Sequence, residues 1–239
     1  EYYGADNVGN TEAAKSQAVK LDATTPKTAL GITGGMQFAG PAAGSFYASL
    51  ASRYGLEAAD PVIGSVASGV KLTSWRDSNG AVANTISGLA FSEGRHELAY
   101  WSMDNVENVE VVRSTTILVD NTAPLSEHHI GSPYYAAGGV NYITPATPIS
   151  FTAADPVVGT VASSVSRIEV SIDGAAFGVY SSPLTFIEGR HTIIYRAIDN
   201  VGNTEAEHTL NVQSDATAPV SDFISNGQYY IASGKKYAP

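Results

Sequence analysis

The chain has 239 residues, 44% hydrophobic and 15% charged, which is enough to build cores of ordinary domain size. Twenty-three acids against thirteen bases leave a formal charge of −10, which argues against nucleic acid and anionic membrane as partners. Cysteine is absent, so disulfides and thiol chemistry are excluded, and no apolar run approaches the roughly 18 residues that would span a bilayer.

Asp6-Asn-Val-Gly-Asn10 opens a long repeat. Its counterparts start at Asp104 and Asp199, 98 and then 95 residues on. Asp22-Ala-Thr-Thr-Pro26, Asp120-Asn-Thr-Ala-Pro124 and Asp215-Ala-Thr-Ala-Pro219 keep the same offsets. Ala59-Asp60-Pro61 recurs 95 residues later at 154–156, and Glu93-Gly-Arg-His96 does so at 188–191. A fixed period of this kind organises the whole fold. In chain order, 1–21 holds the last strands of one unit, 22–119 and 120–214 are full units, and 215–239 holds the first strand of another. Both ends then fall inside a unit, so the chain reads as a piece of a longer array. Neither fragment can close a two-sheet core alone, and strand donation from a neighbour in a fibre is one route to completing it.

The second full unit shows the strands. Residues 147–153 read as a strand, and Asp155 begins the loop after it. Residues 167–172 alternate, with Ile168, Val170 and Ile172 on one face. Asp173-Gly174 is a two-residue hairpin signal, because both turn positions need φ > 0. Residues 177–180 return, and 183–186 lead into a turn at Glu188-Gly189. Along 191–199, one face carries His191, Ile193, Tyr195, Ala197 and Asp199. The first unit repeats it as His96, Leu98, Tyr100, Ser102 and Asp104, so this face is read as inward. A last strand covers 208–212. No segment has helical period. About seven short strands in about 95 residues, with turn signals every 8–12, predict an all-β chain: tandem immunoglobulin-like β-sandwiches in a linear array.

The run EGRHTIIYRAIDNVGNTE at 188–205 resembles the bacterial Ig-like repeats of the OmpL47-type family. Ala154-Asp155, Ser163-Ser-Val165 and Asp173-Gly174 fit the same pattern, and the resemblance runs through both full units and both fragments. It implies a place in long surface or secreted bacterial proteins, as adhesin stalks or as appendages of polysaccharide-active enzymes. The 22–119 unit departs in having Glu107 where Gly202 stands and Ser68-Gly-Val70 for Ser-Ser-Val. Its segment 31–54 matches its counterpart poorly.

Catalytic chemistry finds little support. No nucleophile-elbow spacing is present. His96 and His191 beside a turn read as core histidines bonded to backbone. His128 and His129 point to opposite faces of a strand and cannot share a metal. Trp75 lies one period from Val170 on an inward face and reads as core. Trp101 faces outward and is the candidate contact for a sugar ring. Tyr134-Tyr135 and Tyr229-Tyr230 each turn one ring outward.

The aspartates carry more. Strand order puts Asp120, Asp155 and Asp199 at one pole of the second unit, and Asp22, Asp60 and Asp104 at the matching pole of the first. Three carboxylates without a nearby base call for a hard cation with oxygen ligands, calcium above all. Gly202 would let backbone carbonyls approach that ion, and Glu205 would add a ligand. The alternative is that these are solvated turn formers.

The expectation is a non-enzymatic, extracellular extender in a bacterial surface adhesin or filament, its partners the neighbouring repeats of the same chain or filament. The rival is an accessory module that grips polysaccharide for a secreted hydrolase.

Overall fold

The computed structural model describes residues 1–78, 80, 82–222 and 230–237. Among them there is no helix, and none therefore long and apolar enough to cross a membrane. The first set of strands is β1 (Lys27–Thr33), β2 (Gln37–Ala39), β3 (Ser45–Ser49), β4 (Arg53–Ala59), β5 (Val70–Arg76), β6 (Val82–Ala83), β7 (Gly94–Asp104) and β8 (Arg113–Asp120). β1 and β4 form one antiparallel pair, and the other six lie in the order β2-β3-β8-β7-β5-β6. The second set is β9 (Leu125–Ile130), β10 (Tyr134–Ala137), β11 (Val140–Ile143), β12 (Ile149–Ala154), β13 (Val165–Ile172), β14 (Gly178–Val179), β15 (Gly189–Asp199) and β16 (His208–Ser214). It repeats the plan: β9 with β12, and β10-β11-β16-β15-β13-β14. A hairpin of β17 (Tyr230–Ala232) and β18 (Lys235–Tyr237) follows. Residues 1–20 are exposed throughout and make only the isolated bridges Tyr2–Lys15 and Ala5–Thr11.

Each sandwich closes over its own core. In the first, Tyr54, Leu56, Phe91, Leu98, Tyr100, Ile117 and Val119 pack together. In the second, Ile149, Phe151, Phe186, Ile193, Tyr195, Leu210 and Val212 do so. The inward face of β15 holds, with Ile193, Tyr195, Ala197 and Asp199 buried and His191 half-buried. Ile198, on the other face, is buried too, because the chain folds back over it and bridges Ile198 to Thr204. Asp173 and Gly174 both take positive φ, 52° and 80°, as the hairpin requires.

Each unit has eight strands where the sequence suggests about seven. Not expected from the sequence is a short hairpin before the fourth strand, β2–β3 and β10–β11, whose second strand runs parallel to the last strand of its unit. This hairpin also accounts for most of the difference between the two offsets. β10–β11 turns through Gly138-Gly139, whereas β2–β3 turns through 41–44 after Gly40 bonds Ser45. Two of the first unit's three extra residues lie there, and the third lies between β1 and β2.

Candidate metal centre

The recurring pentapeptide closes on itself in one way three times. Asp199 accepts the N–H groups of Val201 (2.9 Å) and Asn203 (2.8 Å) on Oδ1, and the Asn203 side-chain amide (2.7 Å) on Oδ2. Asp104 takes the matching bonds from Val106 and Asn108 at 3.0, 2.8 and 2.7 Å. Asp6 takes them from Val8 and Asn10 at 3.0, 2.9 and 2.7 Å. The fourth residue has positive φ each time: Gly9 at 91°, Glu107 at 71°, Gly202 at 90°. The loop therefore turns N–H groups toward its aspartate. The observed part of Gly202 is thus in closing the loop, whose N–H groups face Asp199. The closing asparagine reaches further. Asn203 Nδ2 donates to the carbonyl of Asp120 (3.1 Å), and Asn108 Nδ2 to those of Asp22 and Thr24 (3.3 Å each).

Around these loops the aspartates meet. One carboxylate oxygen from each of Asp120, Asp155 and Asp199 lies within 4.8 Å of the others, and the same is true of Asp22, Asp60 and Asp104. Asp120, Asp199 and Asp104 are buried, and the rest are half-buried. The second strand-to-strand loop supplies backbone donors: Ser163 N to Asp120 (2.6 Å) and Ser164 N to Asp155 (2.7 Å). In the first unit Ser68 N serves Asp22 (2.6 Å) and Gly69 N serves Asp60 (2.7 Å). Buried oxygens are left over in both clusters. Asp155 Oδ1 and Ser163 Oγ are buried without a hydrogen-bond partner, and so is Asp60 Oδ1, whereas the Ser68 hydroxyl lies beside Asp22 and Asp104 and helps hold their carboxyls down. None of the six aspartates shares an ion pair with a basic side chain among the described residues.

The electrostatics follow. Burial, then the charge of Asp120 and also that of Asp199, pushes the Asp155 carboxyl up to about 6, against the pull of the Ser164 N–H. Asp22 is held down to about 2, first by the Thr24 N–H and then by that of Ser68. Burial works to raise Asp104, but its bonds to Asn108 and Val106 outweigh it and leave the carboxyl below its usual range.

Glu205 is not part of the cluster. It is buried and accepts from Ser126 N (2.7 Å), Ser126 Oγ (2.5 Å), Ala197 N (2.9 Å) and His208 (2.9 Å). Its carboxylate fastens β9 onto β15 instead of facing an ion. Glu110, one period earlier, holds Thr28 of β1 in the same manner. Ser68 and Ser163 are likewise a pair at the 95-residue offset. That repetition was the available sequence signal for both pairs.

The remaining candidates lie apart. Trp101 is half-buried on β7, opposite Ser74. Trp75 is half-buried against the first core, edge-on to Phe91, with Nε1 donating to the Thr85 carbonyl. His96 meets the Ser92 carbonyl, and His191 the Ile187 carbonyl and Asp173. His128 bonds the Tyr195 hydroxyl, whereas His129 is exposed. Tyr229 lies outside the described residues.

Residues of both units converge next to the second cluster. Asp120 is the last residue of β8, paired with Ser49 of the first sandwich, while its carboxylate belongs to the second. Glu93 accepts from Asn121 N (3.3 Å) and Thr122 Oγ1 (2.5 Å). Met36 lies against Gly202, and Gly159 against Gly94.

No protein-family model and no curated protein matches the chain. Among solved structures it is similar to the fibronectin(III)-like modules of CbhA from Clostridium thermocellum, at 13% identity and a TM-score of 0.37. That match covers 82% of this chain and 100% of the other.

Proposed function

We propose that this chain is a non-catalytic extender: a run of Ig-like sandwiches in a bacterial extracellular adhesin or filament, holding other parts of the assembly at a distance. The observation that carries this reading is the double membership of Asp120. Its backbone ends the last strand of one sandwich, and its side chain is bound inside the next. No free linker separates the two, and Pro124 stiffens the entry to β9. Each unit then contacts mainly its neighbours, so length grows with unit number. Small-angle scattering of the protein tests this. A rod-like profile should collapse toward a flexible two-body one when a Gly-Ser pair is inserted after Asp120. A wild-type profile already typical of freely jointed units would overturn the reading.

A second reading, polysaccharide binding, has one observation in its favour. An aromatic pair faces across the short hairpin in three successive units: Phe38–Tyr47, Tyr135–Tyr142 and Tyr230–Tyr237. Tyr135 and Tyr230 are 67% and 72% exposed. A recurring exposed pair of rings suits stacking on successive sugars, and it replaces Trp101 as the contact to test.

A further inference from the structure

We propose that each full unit binds one calcium ion: Asp120, Asp155, Asp199 and Ser163 hold it in the second, and Asp22, Asp60, Asp104 and Ser68 in the first. The clusters themselves are the first observation, three carboxylates brought within 4.8 Å in two separate copies. The second is independent of charge. A carboxylate Oδ1 is left without a partner in both copies, at Asp155 and at Asp60, and in the second copy so is the hydroxyl of Ser163, which is only 1% exposed. Buried polar atoms are nearly always satisfied, so an orphan carboxylate oxygen that recurs at the same place, with an orphan buried hydroxyl beside one of them, points to a missing ligand.

The donor set selects the ion. All donors are oxygen, three of them carboxylates, and no soft ligand is near, which suits a hard divalent cation. The N–H groups bonded to these carboxylates do not exhaust them: Asp199 Oδ1 and Asp104 Oδ1 each accept two, but the Oδ2 of each accepts one and keeps a lone pair. Calcium sits about 2.4 Å from its ligands, so oxygens around it stand up to about 4.8 Å apart. Magnesium, at about 2.05 Å, demands near-ideal octahedral geometry and keeps several of its waters. Calcium, which accepts more oxygen ligands and irregular geometry, suits a cluster of carboxylates set on separate loops.

Such an ion ties the end of one unit's last strand to two loops of the next. That consequence rests on the extender reading, whereas the site does not. The two are read separately, binding by calorimetry and stiffness by scattering.

The experiment is isothermal titration of calcium chloride into the chelator-stripped full chain at neutral pH, with magnesium chloride as comparator and melting followed in parallel. Two sites of Kd about 10⁻⁴–10⁻³ M are expected, in the range of extracellular calcium modules. Asp155→Asn and Asp60→Asn should each halve the stoichiometry, and the double variant should abolish it. Circular dichroism checks that these isosteric variants fold. Asp6→Asn, which alters the same loop without a second or third carboxylate beside it, should leave the titration unchanged. Absence of heat and of any melting shift with calcium in the wild type overturns the proposal, because it makes the aspartates turn formers alone. So does stoichiometry that survives in the double variant, and so does magnesium binding as tightly as calcium.

Discussion

The sulfur of Met36 lies 2.7 Å from the point where a Cβ on Gly202 would stand. A side chain of the first sandwich therefore fills space beside a loop of the second, and glycine there serves two ends. It takes φ of +90° without strain, and it leaves room for the thioether. Glu107 adopts φ of 71° at the equivalent place in the first unit, so the loop tolerates a larger residue by itself. Gly202→Glu should destabilise the second unit by about 1–2 kcal/mol through the left-handed backbone. It should also displace Met36 and loosen the joint. Adding Met36→Ala should relieve the second effect and not the first. Chemical denaturation and small-angle scattering of the single and double variants separate the two.

Tyr195 stands at the centre of the second core. It is 4% exposed, its ring lies 4.8 Å from that of Phe151, and its hydroxyl meets His128 at 2.9 Å. Tyr195→Ala should cost about 3–5 kcal/mol, the usual range for a large buried aromatic. Trp75→Ala should cost less, since Trp75 is only half-buried at the edge of its core. Urea denaturation gives both values. A loss under about 1 kcal/mol at Tyr195 would mean that β15 presents its other face to the core.

What the sequence reveals depends on what the period repeats. The alternation of β15, the Asp173-Gly174 turn and the gathering of aspartates at one pole each occur in matching positions, so comparison of the units exposes them. The short hairpin is harder to see. Its Gly138-Gly139 turn is a proper signal, but the first unit spells it differently and with two more residues. Met36 and Glu93 act between units, and Met36 falls in the stretch that matches its counterpart worst. Met36 therefore leaves no periodic trace, whereas Glu93 does: Glu188, 95 residues on, accepts from Thr217 as Glu93 accepts from Thr122. The turn of the DNVGN loop is legible as well, but the direction of its N–H groups depends on dihedral angles that a glycine leaves open.

If the rings on the short hairpins grip polysaccharide, Tyr135→Ala and Tyr142→Ala should each weaken retention on an insoluble glucan by about 1 kcal/mol, or roughly fivefold. Trp101→Ala should leave it unchanged, because that indole is half-buried beside Ser74. Pull-down across a panel of polysaccharides, with binding isotherms for any hit, decides. Retention lost with Trp101 and kept without Tyr135 would restore the flat face of β7 as the contact.

Glu205 should govern part of the acid sensitivity of the second unit. Burial works against its charged form, but bonds from Ser126, from the Ala197 N–H and from His208 more than offset this. The carboxyl is held below its ordinary value of 4.5. A carboxyl depressed in the folded state binds a proton more readily once unfolded. Its contribution is therefore complete above pH 4.5 and disappears as pH falls through the lower folded value. Glu205→Gln keeps the shape but removes the charge, and charge-assisted hydrogen bonds are worth about 1.5–3 kcal/mol each. The variant should lose stability of about that order at pH 7. The gap to wild type should narrow below pH 4.5, where the unfolded carboxyl takes up a proton, and close as pH falls through the lower folded value. Ser126→Ala should show a smaller loss with the same pH trend, since it removes one donor and leaves the Ala197 N–H and His208 in place. Urea titrations at a series of pH values measure this directly. A difference between wild type and Glu205→Gln that stays constant from pH 7 down to pH 3 would show that Glu205 acts through packing and not through its charge.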